Sequence, residues 1–159
     1  MSERVSAEER VVEKLKEKGW QIVCAESCTG GMIASTLVNV AGVSEVLSES
    51  YVTYANSAKE KLLGVSKDAL EKWGAVSREV AKQMAVGAAG RAGAQTAVAV
   101  TGIAGPDGGT PEKPVGLVFI GCFVNGKVLV TENHFDGNRL EIRQQTTKAA
   151  LLQLLECLE

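Results

Sequence analysis

The chain has 159 residues, 45% hydrophobic and 23% charged, with a net charge of −2, which describes one ordinary domain over residues 1–159 with enough chain to bury a core. Its slight acidity gives no electrostatic basis for a nucleic-acid partner or an anionic membrane surface. The polar N-terminus lacks a signal-peptide core and no apolar run approaches the ~18 residues of a spanning helix, so a cytoplasmic location is expected.

Residues 6–18 read as an amphipathic helix, with Val11, Val12 and Leu15 among charges, Ser6 and Glu9 as a capping box, and Gly19 as the stop. Residues 20–25 predict a short buried strand. A helix follows from Met32 to about Gly42. Between them lies Ala25-Glu26-Ser27-Cys28-Thr29-Gly30-Gly31. Ser27 thus falls in a strand-to-helix turn, where the unpaired N–H groups of a first helical turn can stabilise an oxyanion or phosphate. The plainer alternative is that Ser27 or Thr29 only caps the helix.

Residues 46–47 and 51–54 predict a second strand, and residues 56–63 a helix with Asn56 as its cap and Gly64 beyond its end. Residues 66–73 read as another capped helical turn, and Ser77 opens a longer helix to about Arg91. Residues 96–100 are a near-continuous apolar strand, the pattern of a sheet centre covered on both faces. Residues 115–124 and 127–135 predict two strands joined at Asn125-Gly126, a strong hairpin signal. Residues 139–158 close the chain as a helix whose apolar face is predicted to carry Ile142, Thr146, Ala149, Leu152 and Leu155. This order predicts a three-layer α/β/α sandwich with a mixed, mostly parallel sheet of about five strands.

Ligand sites in such sheets gather at the carboxyl ends of parallel strands. Ser27 and Tyr54 both stand at strand ends, and Lys59, one turn into the next helix, could reach the same point. A lysine shielded from water loses proton affinity and can act as a general base; otherwise Lys59 is a solvated helix lysine. The glycines and prolines of 101–116 predict a shaped binding loop after the central strand, although it is neither a Walker A sequence nor a dinucleotide fingerprint. Cys24, Cys28, Cys122 and Cys157 are too scattered for a disulfide framework, and the one histidine, His134, lies in an alternating strand. No metal or other cofactor is expected, and a nucleophilic Ser27 would need a base other than histidine.

Together these segments resemble the CinA C-terminal domain family, the nicotinamide-nucleotide amidases. The likeness rests on the Ala25 to Gly31 turn, Val52-Thr53-Tyr54-Ala55-Asn56-Ser57-Ala58-Lys59, Leu63-Gly64-Val65, Thr101-Gly102-Ile103-Ala104-Gly105-Pro106, Pro114-Val115-Gly116 and Arg139-Leu140-Glu141-Ile142-Arg143. Ser50 and Leu47 depart from it, standing where relatives often carry glycine and an aromatic. The resemblance implies an anticodon-binding-domain-like α/β/α fold and hydrolysis of the carboxamide of nicotinamide mononucleotide, without a metal. It casts Ser27 as nucleophile, Lys59 as base and Tyr54 as the group orienting the lysine. Backbone N–H groups of Thr29, Gly30 and Gly31 become oxyanion donors. Thr101, Gly102, Ala104 and Gly105 would hold the nucleotide, Ser44 would line the pocket, and Arg139, with Arg143 as its alternative, would meet the phosphate. The partner expected is a small nucleotide, and a homodimer is the expected assembly. A non-catalytic nucleotide-binding or regulatory module is the alternative function.

Overall fold

The computed structural model describes residues 4–159. Helix α1 (Ala7–Lys18) is closed by its own sequence: Ser6 Oγ accepts the Glu9 N–H, and Gly19, at φ +67°, returns its N–H to Leu15 and Lys16. Strand β1 (Ile22–Glu26) is buried along its whole length and feeds the turn before α2 (Met32–Val38). Helix α2 stops short of the expected Gly42. The Asn39 and Val40 N–H groups bond three residues back instead of four, tightening the chain into a short 3-10 turn at Val43–Glu45.

Strand β2 is only Tyr51–Val52, and Leu47 makes an isolated bridge to Ile22. The gap in the expected strand has a local cause: Ser50 Oγ takes the Cys24 N–H at 3.1 Å, filling a place that a strand carbonyl would otherwise hold. Three helices follow, α3 (Asn56–Leu63), α4 (Lys67–Trp73) and α5 (Arg78–Ala92). Ser66 and Ser77 cap the last two, whereas Ala55 precedes α3 without a side-chain cap, so Asn56 is its first helical residue and not its cap. Strand β3 (Thr96–Gly102) leads to the hairpin of β4 (Leu117–Val124) and β5 (Lys127–His134), where Asn125 and Gly126 both take positive φ. Helix α6 (Arg139–Leu158) opens with a complete capping box between Asn138 and Glu141.

The sheet order is β2-β1-β3-β4-β5, parallel across β2, β1 and β3 and antiparallel across β3-β4 and β4-β5. Because side chains alternate along a strand, Cys24, Val98 and Cys122 face one core with α1, α2 and α6. Val23, Ala25, Ala97 and Ala99 face the other, with α3, α4 and α5. Small residues let α5 lie close to its neighbours. A Cβ on Gly121 would meet the Ala81 carbonyl at 3.0 Å, and one on Gly87 would lie 1.7 Å from the Leu63 carbonyl oxygen. The second contact seats α3 on α5 and so fixes where Lys59 stands. Helix α6 buries Ile142, Thr146, Thr147, Ala150, Leu151, Leu154, Leu155 and Leu158, while Leu152 is exposed. The two three-residue steps from Thr146 through Ala149 to Leu152 each fall back about 60° around the helix, which carries Leu152 off the buried face.

Candidate active site

Strand β1 ends at Glu26, and Ser27 donates its N–H to the Val100 carbonyl of β3. From the opposite layer, the first turn of α3 sends Lys59 beneath it, and Lys59 Nζ lies 3.1 Å from Ser27 Oγ. Its other partners are main-chain carbonyls, Thr53 at 2.8 Å and Tyr54 at 3.2 Å. Ser27 is 8% exposed and Lys59 only 1%. None of these partners is anionic, so burial is uncompensated and pushes the Lys59 ammonium below its ordinary value of 10.5, with Cys28 opposing weakly. A neutral amine carries two N–H donors and one lone pair. The donors match the two carbonyls and the lone pair matches the Ser27 hydroxyl. The solvated-lysine alternative does not hold.

A cleft of about 200 Å³ opens over this pair. Thr101, Gly102 and Ala104 line it from the end of β3 and the loop beyond, Tyr54 and Asn56 from the start of α3 and the segment before it, and the exposed Arg139 stands at its mouth. Thr101 Oγ1 is turned to the Ala75 carbonyl at 2.8 Å, tying the end of β3 to the segment before α5. A groove of about 600 Å³ between α1, α2 and α6 is larger but is not where Ser27 meets Lys59. Among the described residues no group of three or more His, Cys, Asp or Glu side chains could hold a metal ion.

Several expected roles are corrected by the geometry. The Tyr54 phenol is exposed and accepts from Arg139 at 2.8 Å; only its carbonyl touches Lys59, so the ring does not orient the lysine. Ser44 is exposed on the 3-10 turn, beside the carbonyls of Glu45 and Val46 that pair with Gln21 and Ile22 at the amino end of β1. It lies at the far end of the strand from Ser27 and does not line the cleft. The Thr29 hydroxyl is buried and donates to Glu26 Oε1, while its backbone N–H has no partner among the described residues, and Gly30 and Gly31 shape the turn at φ +59° and +106° without lining the cleft. The Gly30 N–H is bonded to the Ser27 carbonyl and is not free for an oxyanion.

Glu26 is the residue whose part the sequence hid. Fully buried, it accepts from Thr29 Oγ1 at 2.6 Å, Ile33 N at 2.8 Å and Ala34 N at 3.0 Å. Its carboxylate therefore occupies the N-terminus of α2, where a free anion site was expected. A charged residue ending an apolar strand was the one visible signal. Arg139 donates to the Gly105 carbonyl at 2.7 Å and to Tyr54, bridging two walls of the cleft. Arg143 instead reaches the Cys28 and Thr29 carbonyls at 2.9 and 3.0 Å. It lies behind the turn and is not a phosphate contact at the cleft mouth. Cys28 lines the cleft, but burial pushes its thiol up to about 11, leaving it protonated at neutral pH.

The molecule is thus an α/β/α domain with an open five-stranded sheet and a ligand-sized cleft at the carboxyl ends of its parallel strands. It belongs to the CinA C-terminal domain family, whose sequence model matches residues 4–158. A CinA-like protein of Kosmotoga olearia is 53% identical over 146 residues, 92% of this chain and 35% of that relative. The chain spans about a third of the length of such relatives. A relative of similar size from Enterobacter agglomerans, named nicotinamide-nucleotide amidohydrolase PncC, is 50% identical over 86% of this chain and 84% of its own. The crystal structure of competence/damage inducible protein CihA from Agrobacterium tumefaciens matches with a TM-score of 0.93 at 45% identity over 100% of both chains. A CinA superfamily structure from Escherichia coli gives 0.91 at 33% identity, covering 98% of this chain and 94% of that one. Among the described residues no helix is long and apolar enough to cross a membrane.

Proposed function

We propose that the chain is a cytoplasmic amidase that hydrolyses the carboxamide of nicotinamide mononucleotide to nicotinic acid mononucleotide and ammonia. The observation that carries this reading is the buried Lys59 amine, without an anionic partner, 3.1 Å from the Ser27 hydroxyl. The named activity of the Enterobacter agglomerans relative supplies the substrate. Ser27 Oγ attacks the carboxamide carbon while Lys59 Nζ takes the hydroxyl proton. The tetrahedral intermediate collapses by breaking the C–N bond, and the Lys59 ammonium returns its proton to the leaving nitrogen, which departs as ammonia. Water then adds to the Ser27 ester, giving its proton to Lys59. Collapse releases the acid and restores the serine.

Cavities of about 150 Å³ take one benzene ring, so the cleft of about 200 Å³ has room for the pyridine carboxamide and not for the whole nucleotide. The ribose and phosphate then extend past the mouth, where Arg139 offers a guanidinium suited to bidentate contact with phosphate. Ammonia release from nicotinamide mononucleotide, its phosphate-free riboside and free nicotinamide tests the reading. Turnover is expected on the mononucleotide, and Arg139→Ala should raise its KM more than that of the riboside. Tight binding of the mononucleotide with no ammonia would favour the binding-module alternative.

A further inference from the structure

Arg143 sits on the second turn of α6, half-buried, and spends its guanidinium on two consecutive carbonyls of the nucleophile turn, Cys28 and Thr29. The guanidinium lies directly against the turn, at ordinary contact distance (3.4 Å) from where a Cβ on Gly30 would stand. In a trans peptide the C=O and N–H point in opposite directions. Holding the Cys28 carbonyl toward α6 therefore aims the Thr29 N–H away from α6, toward the layer from which Lys59 reaches Ser27. Most other donors of the turn are committed, the Cys28 and Gly31 N–H groups excepted. Gly30 N–H goes to Ser27 O, Met32 N–H to Thr29 O and Ser35 N–H to Gly31 O. Ile33 and Ala34 are taken by Glu26. The Thr29 N–H makes no hydrogen bond among the described residues.

We propose that Arg143 is a positioning residue that orients and polarises the Cys28–Thr29 peptide, so that the Thr29 N–H donates to the oxygen of the tetrahedral intermediate formed on Ser27. The proposal rests on the amidase reading of this site. A cation on the carbonyl side draws electron density through the amide and strengthens the N–H as a donor. The positive charge that stabilises the oxyanion thus comes from α6 through one peptide unit, while the α2 terminus is already matched by Glu26.

The test uses two readouts. One is steady-state ammonia release. The other, independent of the natural substrate, is the rate at which diisopropyl fluorophosphate labels Ser27, followed by intact mass. In that reaction Ser27 Oγ bonds to phosphorus, fluoride leaves with the broken P–F bond, and Lys59 takes the hydroxyl proton. Arg143→Ala should slow labelling and lower kcat by about tenfold to a hundredfold, below the ~10²–10³ for deleting an oxyanion donor outright. KM should stay within about threefold. Arg143→Lys and added methylguanidine should each restore part of the rate, which also covers an alanine variant that is poorly folded. Wild-type labelling rates in both Arg143 variants would overturn the proposal. Slowed labelling in Arg143→Ala, alongside a wild-type protein that releases no ammonia from pyridine nucleotides, would sustain the positioning role and reject the substrate.

Discussion

An ammonium held among a hydroxyl and two carbonyls, as Lys59 is, gives up hydration that no carboxylate replaces, so the neutral amine is favoured. The sign of the pH dependence follows. Below the lowered Lys59 value the amine is protonated and cannot accept the Ser27 proton. kcat/KM should then rise with pH on an acid limb whose midpoint lies below 10.5. Lys59→Arg should lose ~10²–10⁴-fold in kcat at every pH, because a guanidinium stays protonated. An arginine variant that keeps wild-type turnover would assign the base elsewhere; Glu26 is a poor substitute, its oxygens being engaged by α2. Cys28 makes a matching negative prediction. Its thiol stays protonated at neutral pH and packs in the core with Ile33 and Ile142. Cys28→Ala should therefore keep kcat/KM within about threefold while costing some stability through the lost packing. Inactivity in a folded Cys28→Ala protein would move the nucleophile from Ser27 to its neighbour.

Elements carry these side chains to one place, and the tightest joint is between α3 and α5. Gly87→Ala would push a methyl group into the Leu63 carbonyl, and backbone cannot give way as a flexible side chain can. Overpacking of this kind costs about 1–3 kcal/mol, which lowers Tm by about 3–10 °C for a domain of this size. The displaced α3 should also weaken the Lys59 to Ser27 contact, so residual activity should fall further than the folded fraction. A Gly87→Ala protein with wild-type Tm and turnover would show that this crossing does not set the base. Much of the element pattern was legible because its signals are local: Ser66 and Ser77 before helices, Gly19 and Gly64 after them, Asn125-Gly126 between strands. What was not legible depends on neighbours distant in sequence. Strand β2 is shortened where the Ser50 side chain serves β1, and the α2 terminus is filled by a carboxylate six residues upstream of the helix. Arg139 and Arg143 lie one turn apart on α6 yet reach different loops, which only the packing of α6 across the sheet decides.

At the scale of the whole molecule, the site follows from the path of the chain around β1. From β1 the chain passes through α2 to β2 on one side, then through α3, α4 and α5 to β3 on the other. A crevice at the carboxyl end of such a branching strand is where open α/β sheets bind ligands. It also explains why Ser27 and Lys59, 32 residues apart, arrive from opposite layers. Position at strand ends was enough to bring Ser27, Lys59 and Thr101 into one cleft from the sequence, but not to say that Ser44 lies at the opposite end of β1 or that Tyr54 turns its ring outward. The covalent step on Ser27 is what the rest of the chemistry depends on. Rapid acid quenching of enzyme mixed with nicotinamide mononucleotide, followed by mass spectrometry of the Ser27 peptide, tests it most directly. The expected result is a nicotinoyl-mononucleotide ester on Ser27 that forms with the first equivalent of ammonia and disappears on turnover. Ser27→Ala should show neither the adduct nor ammonia, with kcat down by at least about 10³-fold. Ammonia released at the wild-type rate by Ser27→Ala would contradict the covalent mechanism outright.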